Sequence, residues 1–145
     1  MKKNSMISPE VLSAFFLGWL LLLPGCAQNS LLEKDTVRGR LTELNASESH
    51  ALIEKNSVVV ILDVRTPEEF SRERIEGSVN IDFYSPEFAR ELGRLDKDKT
   101  YLVCCALGKR AMKAGNIMKQ MEFRNIFILD GGLTAWEKAG LPLSR

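Results

Sequence analysis

Histidine is almost absent from this sequence, since His50 is the only one among 145 residues. A cysteine–histidine pair therefore has a single candidate base, and nothing in the sequence brings His50 near a cysteine. We expect His50 to be a surface residue of the first helix of the domain. The other potential ligands have no metal-site spacing, so we predict neither a metal nor another cofactor.

A predominant charge is also missing from the sequence. The chain has 20 Lys and Arg residues against 19 Asp and Glu residues. Without residues 1–25, which contain Lys2, Lys3 and Glu10, 18 cations face 18 anions. A domain so close to neutrality has no electrostatic reason to bind nucleic acid. The composition, 45% hydrophobic and 27% charged, is that of one ordinary globular domain, which we expect to be a monomer.

No hydrophobic run is long enough to span a membrane. The longest, Val11 to Leu23, has 13 residues, whereas a spanning helix needs roughly 20. Lys2 and Lys3 precede the run and Pro24-Gly25-Cys26 follows it, which is the three-part layout of an export signal. The segment from Leu23 to Cys26 also resembles the lipobox of bacterial lipoproteins, in which the cysteine is lipidated and becomes the new N-terminus.

This N-terminal pattern predicts the organisation of the chain. We expect a signal peptide at residues 1–25, a polar lipid-anchored tether at 26–40 and a folded domain at 41–145. Lipidated Cys26 would hold the exported domain at a membrane of a bacterial cell envelope, on the periplasmic side. An uncleaved signal anchor and ordinary cleavage remain the alternatives.

Cysteine is scarce as well, with three residues in the chain. If Cys26 carries lipid, only Cys104 and Cys105 remain in the exported domain. Exported domains often use paired cysteines as structural staples. Neighbouring cysteines cannot connect distant segments, so the sequence argues against a disulfide framework and favours a reactive thiol.

Short hydrophobic segments alternate with helical patterns over the rest of the chain. Continuous apolar and β-branched runs predict strands at residues 58–64, 79–81, 100–104 and 125–129. Capping patterns and apolar spacing predict helices that begin near residues 45, 66, 85 and 133, and another that follows residue 110. This alternation predicts an α/β fold with a parallel sheet. Ligands bind beyond the carboxyl ends of such strands, where Cys105 lies.

The loop after the third of these strands has the features of an anion site. The first amides of a helix have no intrahelical partner, and the helix end carries about half a positive charge. A short loop that curls around Cys105 would aim such amides inward, and Gly108 permits the turn. Lys109 and Arg110 add positive charge, so the loop favours a thiolate without a separate base. Cys104 is expected to be a buried strand-end residue, with a resolving thiol as the alternative.

Three motifs carry a family resemblance. The loop Cys105-x-x-Gly108-x-Arg110 resembles the active-site loop of the rhodanese family of sulfurtransferases. "DVRTPEEFSRERIEGSVNI" (63–81) and "LDGGLTAWEKAGLPL" (129–143) are similar to the first signature and the C-terminal ending of that family. The resemblance covers residues 41–143. It implies a rhodanese-like, doubly wound five-stranded parallel sheet flanked by helices.

The resemblance also implies a chemistry. Cys105 would take a sulfane sulfur from thiosulfate or polysulfide, hold it as a persulfide and pass it to cyanide or a thiol. The sulfur donor and the sulfur acceptor would each be a small molecule or a protein thiol. The amides of residues 106–110 would stabilise the persulfide, and Arg110 would help with anionic substrates. Ala106 and Leu107 are apolar where many family members are polar, which favours a less charged donor or a protein thiol over thiosulfate.

Two other functions stay open at this point. Phosphatases and arsenate reductases of the same fold use Cys-x5-Arg, whose larger ring encloses a tetrahedral group. The spacing from Cys105 to Arg110 is Cys-x4-Arg, whereas Cys104 as the nucleophile would give Cys-x5-Arg. Gly108 and the end of the strand favour the smaller ring. A non-catalytic module that carries sulfur or binds a partner is the other possibility, although the retained Cys105 favours an enzyme.

Several residues near the active edge are expected to be structural. Asp63 and Arg65 end a strand there, and we predict that Arg65 pairs with Glu69 or Glu76 and fixes the helix that follows. Gly131-Gly132 is predicted to form a turn.

Overall fold

A computed structural model describes residues 39–145 of the chain. The predicted signal peptide, Cys26 and nearly all of the predicted tether lie outside these described residues. No helix within residues 39–145 combines the length and the hydrophobicity that crossing a membrane requires.

The sheet has five parallel strands in the order β1-β5-β4-β2-β3. Its strands are β1 (Arg40–Leu44), β2 (Val60–Asp63), β3 (Val79–Asn80), β4 (Thr100–Cys104) and β5 (Asn125–Leu129). The prediction of a five-stranded parallel α/β sheet is thereby confirmed. Because all strands run in the same direction, the segments after β2, β4 and β5 meet at one edge of the sheet.

Five helices connect and flank the strands in the described residues. They are α1 (Ala46–Lys55), α2 (Pro67–Arg72), α3 (Phe88–Leu92), α4 (Lys109–Gln120) and α5 (Gly132–Lys138). Both predicted capping boxes are present, Asn45 with Glu48 at α1 and Thr66 with Glu69 at α2. Each box satisfies backbone N–H groups that the helix leaves without partners, and so determines where the helix begins.

Two elements differ clearly from the prediction, while β2 is only shorter than predicted, Val60–Asp63 instead of residues 58–64. β1 is a strand that the sequence pattern did not reveal. It pairs in register with β5 as an edge strand, and three of its five residues are polar. The helix predicted from residue 85 begins at Phe88, because side chains hold the preceding residues in turns. Asp82 Oδ1 accepts from the Tyr84 amide at 2.9 Å, and Ser85 Oγ accepts from the Glu87 amide at 3.1 Å.

Two hydrophobic cores form on the two faces of the sheet. One contains residues of α4, with Val103 and Cys105, and the other contains residues of α1 and α5, with Leu102 and Cys104. Successive residues of a strand point to opposite faces. The neighbouring cysteines therefore belong to different cores, and only Cys105 lies on the α4 side.

Candidate active site

Cys105 lies at the carboxyl end of β4, between the central strand and α4. Cys105 is only 1% exposed, and the Ala111 amide donates a hydrogen bond to its Sγ at 3.4 Å. Gly108 precedes α4 with φ of +84°, in the left-handed region that favours glycine. The chain therefore turns tightly around the sulfur before the helix begins.

The start of α5 orients this loop. The Cys105 carbonyl accepts from the Leu133 amide at 2.8 Å, and the Ala106 carbonyl accepts from the Thr134 amide at 3.1 Å. A trans peptide places each carbonyl opposite the next N–H, so the amides of residues 106 and 107 point away from α5. Among residues 39–145, the amides of residues 106–110 donate to no acceptor. Five consecutive free donors near a sulfur can bind an anion.

Gly132 allows α5 to come this close. A Cβ there would overlap the Cys105 carbonyl oxygen and lie 2.6 Å from the Ala106 carbonyl carbon, and its φ is +60°. The sequence indicated only a turn at Gly131-Gly132, and did not show that it supports the loop. The position of Gly132 just after β5 could have indicated this role, because β5 is the parallel neighbour of β4 and the segments after both strands meet at the same edge.

Cys104 has the opposite environment. It is fully buried against residues such as Ile61 and Trp136, which confirms the prediction of a buried strand-end residue. Burial raises the pKa of the Cys104 thiol well above its ordinary value, and the Asp63 carboxylate raises it further. A thiol kept neutral on the other face of the sheet is a poor nucleophile and a poor partner for Cys105.

Arg110 forms a bidentate ion pair with Glu69. Its Nη1 donates to Oε2 and its Nη2 to Oε1, both at 2.7 Å, and its guanidinium lies 5.6 Å from the centre of the Tyr84 ring. Hydrogen bonds from Arg110 are the main cause that lowers the pKa of Glu69 from 4.5 to about 2, and Glu69 in turn raises the pKa of Arg110. Sequence reasoning did not recognise Glu69 as a site residue.

The signal for Glu69 lay in the order of the strands. Glu69 is the third residue of α2, which follows β2, and β2 pairs with β4. The helix after β2 therefore begins beside the loop after β4. That neighbourhood depends on the sheet order, which the residues alone did not show.

The prediction that Arg65 pairs with Glu69 or Glu76 is wrong. Arg65 folds back on Asp63: Nε donates to its oxygens at 3.0 and 2.9 Å, and Nη2 donates to Oδ2 at 2.7 Å. Nη2 also donates to the Glu73 carbonyl at 2.6 Å. The Asp63 carboxylate is completely buried, so it requires a cation close by.

Asn80 completes this buried cluster. Its Nδ2 donates to the carbonyls of Asp63 and Arg65 at 3.0 and 2.8 Å. The contacts join the ends of β2 and β3 to the end of α2. The cluster thus holds the segment from which Glu69 reaches Arg110.

The remaining residues of the loop form its rim. Leu107 is 62% exposed, Ala106 is partly exposed, and Lys109 is exposed without an ion-pair partner among residues 39–145. His50 lies on α1 as predicted, but its ring is half-buried and packs edge to face on Trp136, with centroids 5.6 Å apart. The candidate site thus brings together Cys105, the free amides and the Arg110 ion pair.

Comparison with known proteins identifies the family of this fold and loop. The sequence pattern of the rhodanese-like domain matches residues 45–139. The chain is 32% identical over 91 residues to thiosulfate sulfurtransferase 16, chloroplastic, of Arabidopsis thaliana, covering 56% of this chain and 76% of that protein. It is 28% identical over 102 residues to the putative sulfurtransferase YtwF of Bacillus subtilis, covering 70% and 96% of the two chains.

Solved structures show the same fold. A rhodanese-related protein from Thermoplasma volcanium superposes with a TM-score of 0.63 at 31% identity, covering 71% of this chain and 97% of that one. A Rhodopseudomonas palustris protein described as a possible tyrosine phosphatase gives a TM-score of 0.60 at 28% identity, covering 72% and 85%. The relatives support sulfurtransferase activity at the level of the family. The chain belongs to the rhodanese-like domain family.

Proposed function

We propose that this protein is a sulfurtransferase that works through a persulfide on Cys105. The Cys105 thiolate attacks the sulfane sulfur of a donor such as thiosulfate, a polysulfide or an organic persulfide. A new S–S bond forms while the donor's S–S bond breaks, and sulfite or a thiolate leaves. Cyanide or an acceptor thiolate then attacks the outer sulfur, and the Cys105 thiolate is restored without net oxidation.

The observation that carries this proposal is the burial of Cys105 inside a short loop with free amides. Because the residue is 1% exposed, a donor must present a narrow terminal atom to reach Sγ. The sulfur added to Sγ bears negative charge and requires hydrogen-bond donors close by. The unbonded amides of residues 106–110 are suited to that task.

A phosphatase or arsenate reductase is the second candidate, since the Rhodopseudomonas palustris neighbour is described as a possible tyrosine phosphatase. The loop argues against it. A phosphoryl group needs room for three equatorial oxygens, whereas the ring from Cys105 to Arg110 has Cys-x4-Arg spacing and its arginine is bound to Glu69.

Turnover assays test the proposal against this alternative. We expect the full chain, in mild neutral detergent, to form thiocyanate from cyanide with a polysulfide or persulfide donor. Cys105→Ser should abolish the reaction and Cys104→Ala should retain it. Hydrolysis of p-nitrophenyl phosphate or reduction of arsenate, without sulfur transfer, would replace the proposal with the second candidate. A persulfide that forms but passes to no acceptor would indicate a carrier module.

We also propose that the domain acts at a bacterial envelope membrane, held there by lipid on Cys26. The lipobox-like segment and the export-signal layout support this location. Cells fed an alkyne fatty acid should incorporate the label into the chain, and Cys26→Ser should lose both the label and sedimentation with membranes. Equal labelling of both proteins would contradict the anchor.

A further inference from the structure

The Glu69–Arg110 ion pair is not required by sulfur transfer as such. It joins α2, which follows β2, to the loop around Cys105. Each Nη of Arg110 donates to a different oxygen of Glu69, both at 2.7 Å. Such bidentate pairs of charged groups are stronger and more specific in geometry than single contacts.

The capping box of α2 holds the Glu69 carboxylate in place. Oε2 accepts from the Thr66 amide at 3.1 Å, while the Glu69 amide donates to Thr66 Oγ1 at 3.3 Å. The same oxygen, Oε2, also accepts from Arg110. The carboxylate therefore has a position fixed by its own helix, and its pKa of about 2 keeps it charged near neutral pH.

Arg110 is correspondingly withdrawn from the rim of the loop. Its side chain is 16% exposed, and its guanidinium lies over the Tyr84 ring. A cation that is paired with a carboxylate and covered by a ring offers little net charge to a substrate. The rim itself presents uncharged Ala106 and Leu107, with Lys109 as a single exposed cation of residues 105–110.

Building on the sulfurtransferase function, we propose that Glu69 is a positioning residue that sets donor specificity through Arg110. By cancelling the charge of Arg110, Glu69 makes the site prefer organic persulfides with uncharged tails over thiosulfate and over persulfides with anionic tails. The charged tail of an anionic donor loses hydration when it approaches the buried sulfur, and the pairing of Arg110 with Glu69 removes one positive charge that would offset that loss. An uncharged tail loses less hydration free energy, and it can pack against the exposed Leu107 side chain.

Two donors of the same length separate tail charge from sulfur chemistry. These are the persulfides of 2-mercaptoethanol and 2-mercaptoethanesulfonate, used with cyanide as acceptor and the full chain in neutral detergent. We expect the wild type to have the lower KM for the uncharged donor. Glu69→Gln should lower the KM of the sulfonate donor about threefold to tenfold relative to the uncharged one, with little change in the ratio of kcat values. Glutamine at this position preserves the capping box.

The chain provides a matched control. Glu48 occupies the same capping-box position in α1, where its Oε2 accepts from the Asn45 amide at 2.9 Å. Within residues 39–145, the Glu48 side chain has no other hydrogen bond and no ion pair. Glu48→Gln should leave the KM ratio unchanged. Arg110→Gln should shift the ratio the other way, because it exposes the charge of Glu69. The double variant Glu69→Gln/Arg110→Gln should return the ratio towards the wild-type value.

The outcomes distinguish this inference from the proposed function. If the wild type transfers sulfur but neither Glu69→Gln nor Arg110→Gln changes the KM ratio, the inference alone is wrong. An equal shift in Glu48→Gln would also overturn it. If Glu69→Gln does not fold, the comparison of Arg110→Gln with the double variant still decides, since the ratio returns towards the wild-type value only if the charge of Glu69 causes the shift. If the wild type takes sulfur from polysulfide or thiosulfate but from neither of these two persulfides, the inference is wrong and the sulfurtransferase function stands. If it takes sulfur from none of the four donors, the sulfurtransferase function fails and the inference fails with it.

Discussion

Cys104 and Cys105 are adjacent in sequence and have different chemistry because the sheet separates them. Cys104 contributes to the core on the α1 and α5 side, where burial raises the pKa of its thiol. Cys105 lies on the α4 side, where the Ala111 amide donates to its sulfur. Strand geometry alone explains this difference, since successive side chains point to opposite faces.

The first prediction at the residue scale concerns alkylation. Iodoacetamide should modify Cys105 in the folded domain and leave Cys104 unmodified until the chain unfolds. Cys104→Ala should keep sulfur transfer and lower the free energy of unfolding by about 1–2 kcal/mol, because it leaves a small cavity. Peptide mapping and urea unfolding measure the two effects. Rapid modification of Cys104 in folded protein would contradict this view of the site.

The second prediction concerns Glu69 and pH. Its pKa is about 2 in the folded protein and near 4.5 when unperturbed. The stability that its charge contributes is therefore complete above pH 4.5 and is lost as the pH falls towards 2. The free energy of unfolding of Glu69→Gln should therefore decrease less than that of the wild type between about pH 5 and about pH 2. The difference should be smaller than the pKa shift alone implies, because the Glu69 side chain is one-third exposed and solvent screens the ion pair. Glu48→Gln is the control. If the pH dependence of stability in Glu69→Gln is the same as in Glu48→Gln, the ion pair is weak in solution.

At the scale of elements, the beginning of α5 supports the loop around Cys105. The first amides of α5 orient the loop because they donate hydrogen bonds to the carbonyls of Cys105 and Ala106. Gly132 makes the contact possible because it has no side chain. The two segments come from neighbouring parallel strands, β4 and β5.

A substitution in α5 tests this support. Gly132→Ala should displace the loop and slow persulfide formation at least about tenfold, since its methyl group would overlap the Cys105 carbonyl. Gly140→Ala is the matched control: its φ is +71° and nothing lies within 4 Å of an added Cβ. The control should cost about 1–2 kcal/mol of backbone strain and leave the rate unchanged. Stopped-flow rates near the wild-type value in Gly132→Ala would contradict the role of α5.

The elements also show what the sequence could predict. The bounds of β4 and β5 match the prediction because both are continuous apolar runs buried in the sheet. β1 was missed because "RLTEL" is a short segment with three polar residues and no regular alternation, so its pairing with β5 and not its composition makes it a strand. Likewise, the partner of Glu69 depends on the pairing of β2 with β4, a long-range fact that local patterns do not contain.

At the scale of the whole molecule, the strand order assembles the candidate site. β4 lies between β5 and β2, so the segments that follow all three strands meet around Cys105. β1 covers the edge of β5 along its full length. The fold therefore extends beyond residues 45–139, the part that matches the family pattern.

Truncation tests the contribution of β1. A chain of residues 45–145 should unfold at lower urea concentration than residues 30–145, with a loss of about 2–4 kcal/mol. The loss arises because the ladder to β5 and the burial of Leu41 are removed. Equal midpoints for the two chains would show that β1 is dispensable.

One measurement tests the central claim most directly: the intact mass of the full chain after brief exposure to polysulfide. The wild type, Cys104→Ala and Cys105→Ser are compared under the same conditions. The persulfide mechanism predicts that the wild type and Cys104→Ala each gain the mass of one sulfur atom, and that Cys105→Ser gains none. The absence of any adduct in wild-type protein whose Cys105 still reacts with iodoacetamide would contradict the sulfurtransferase function.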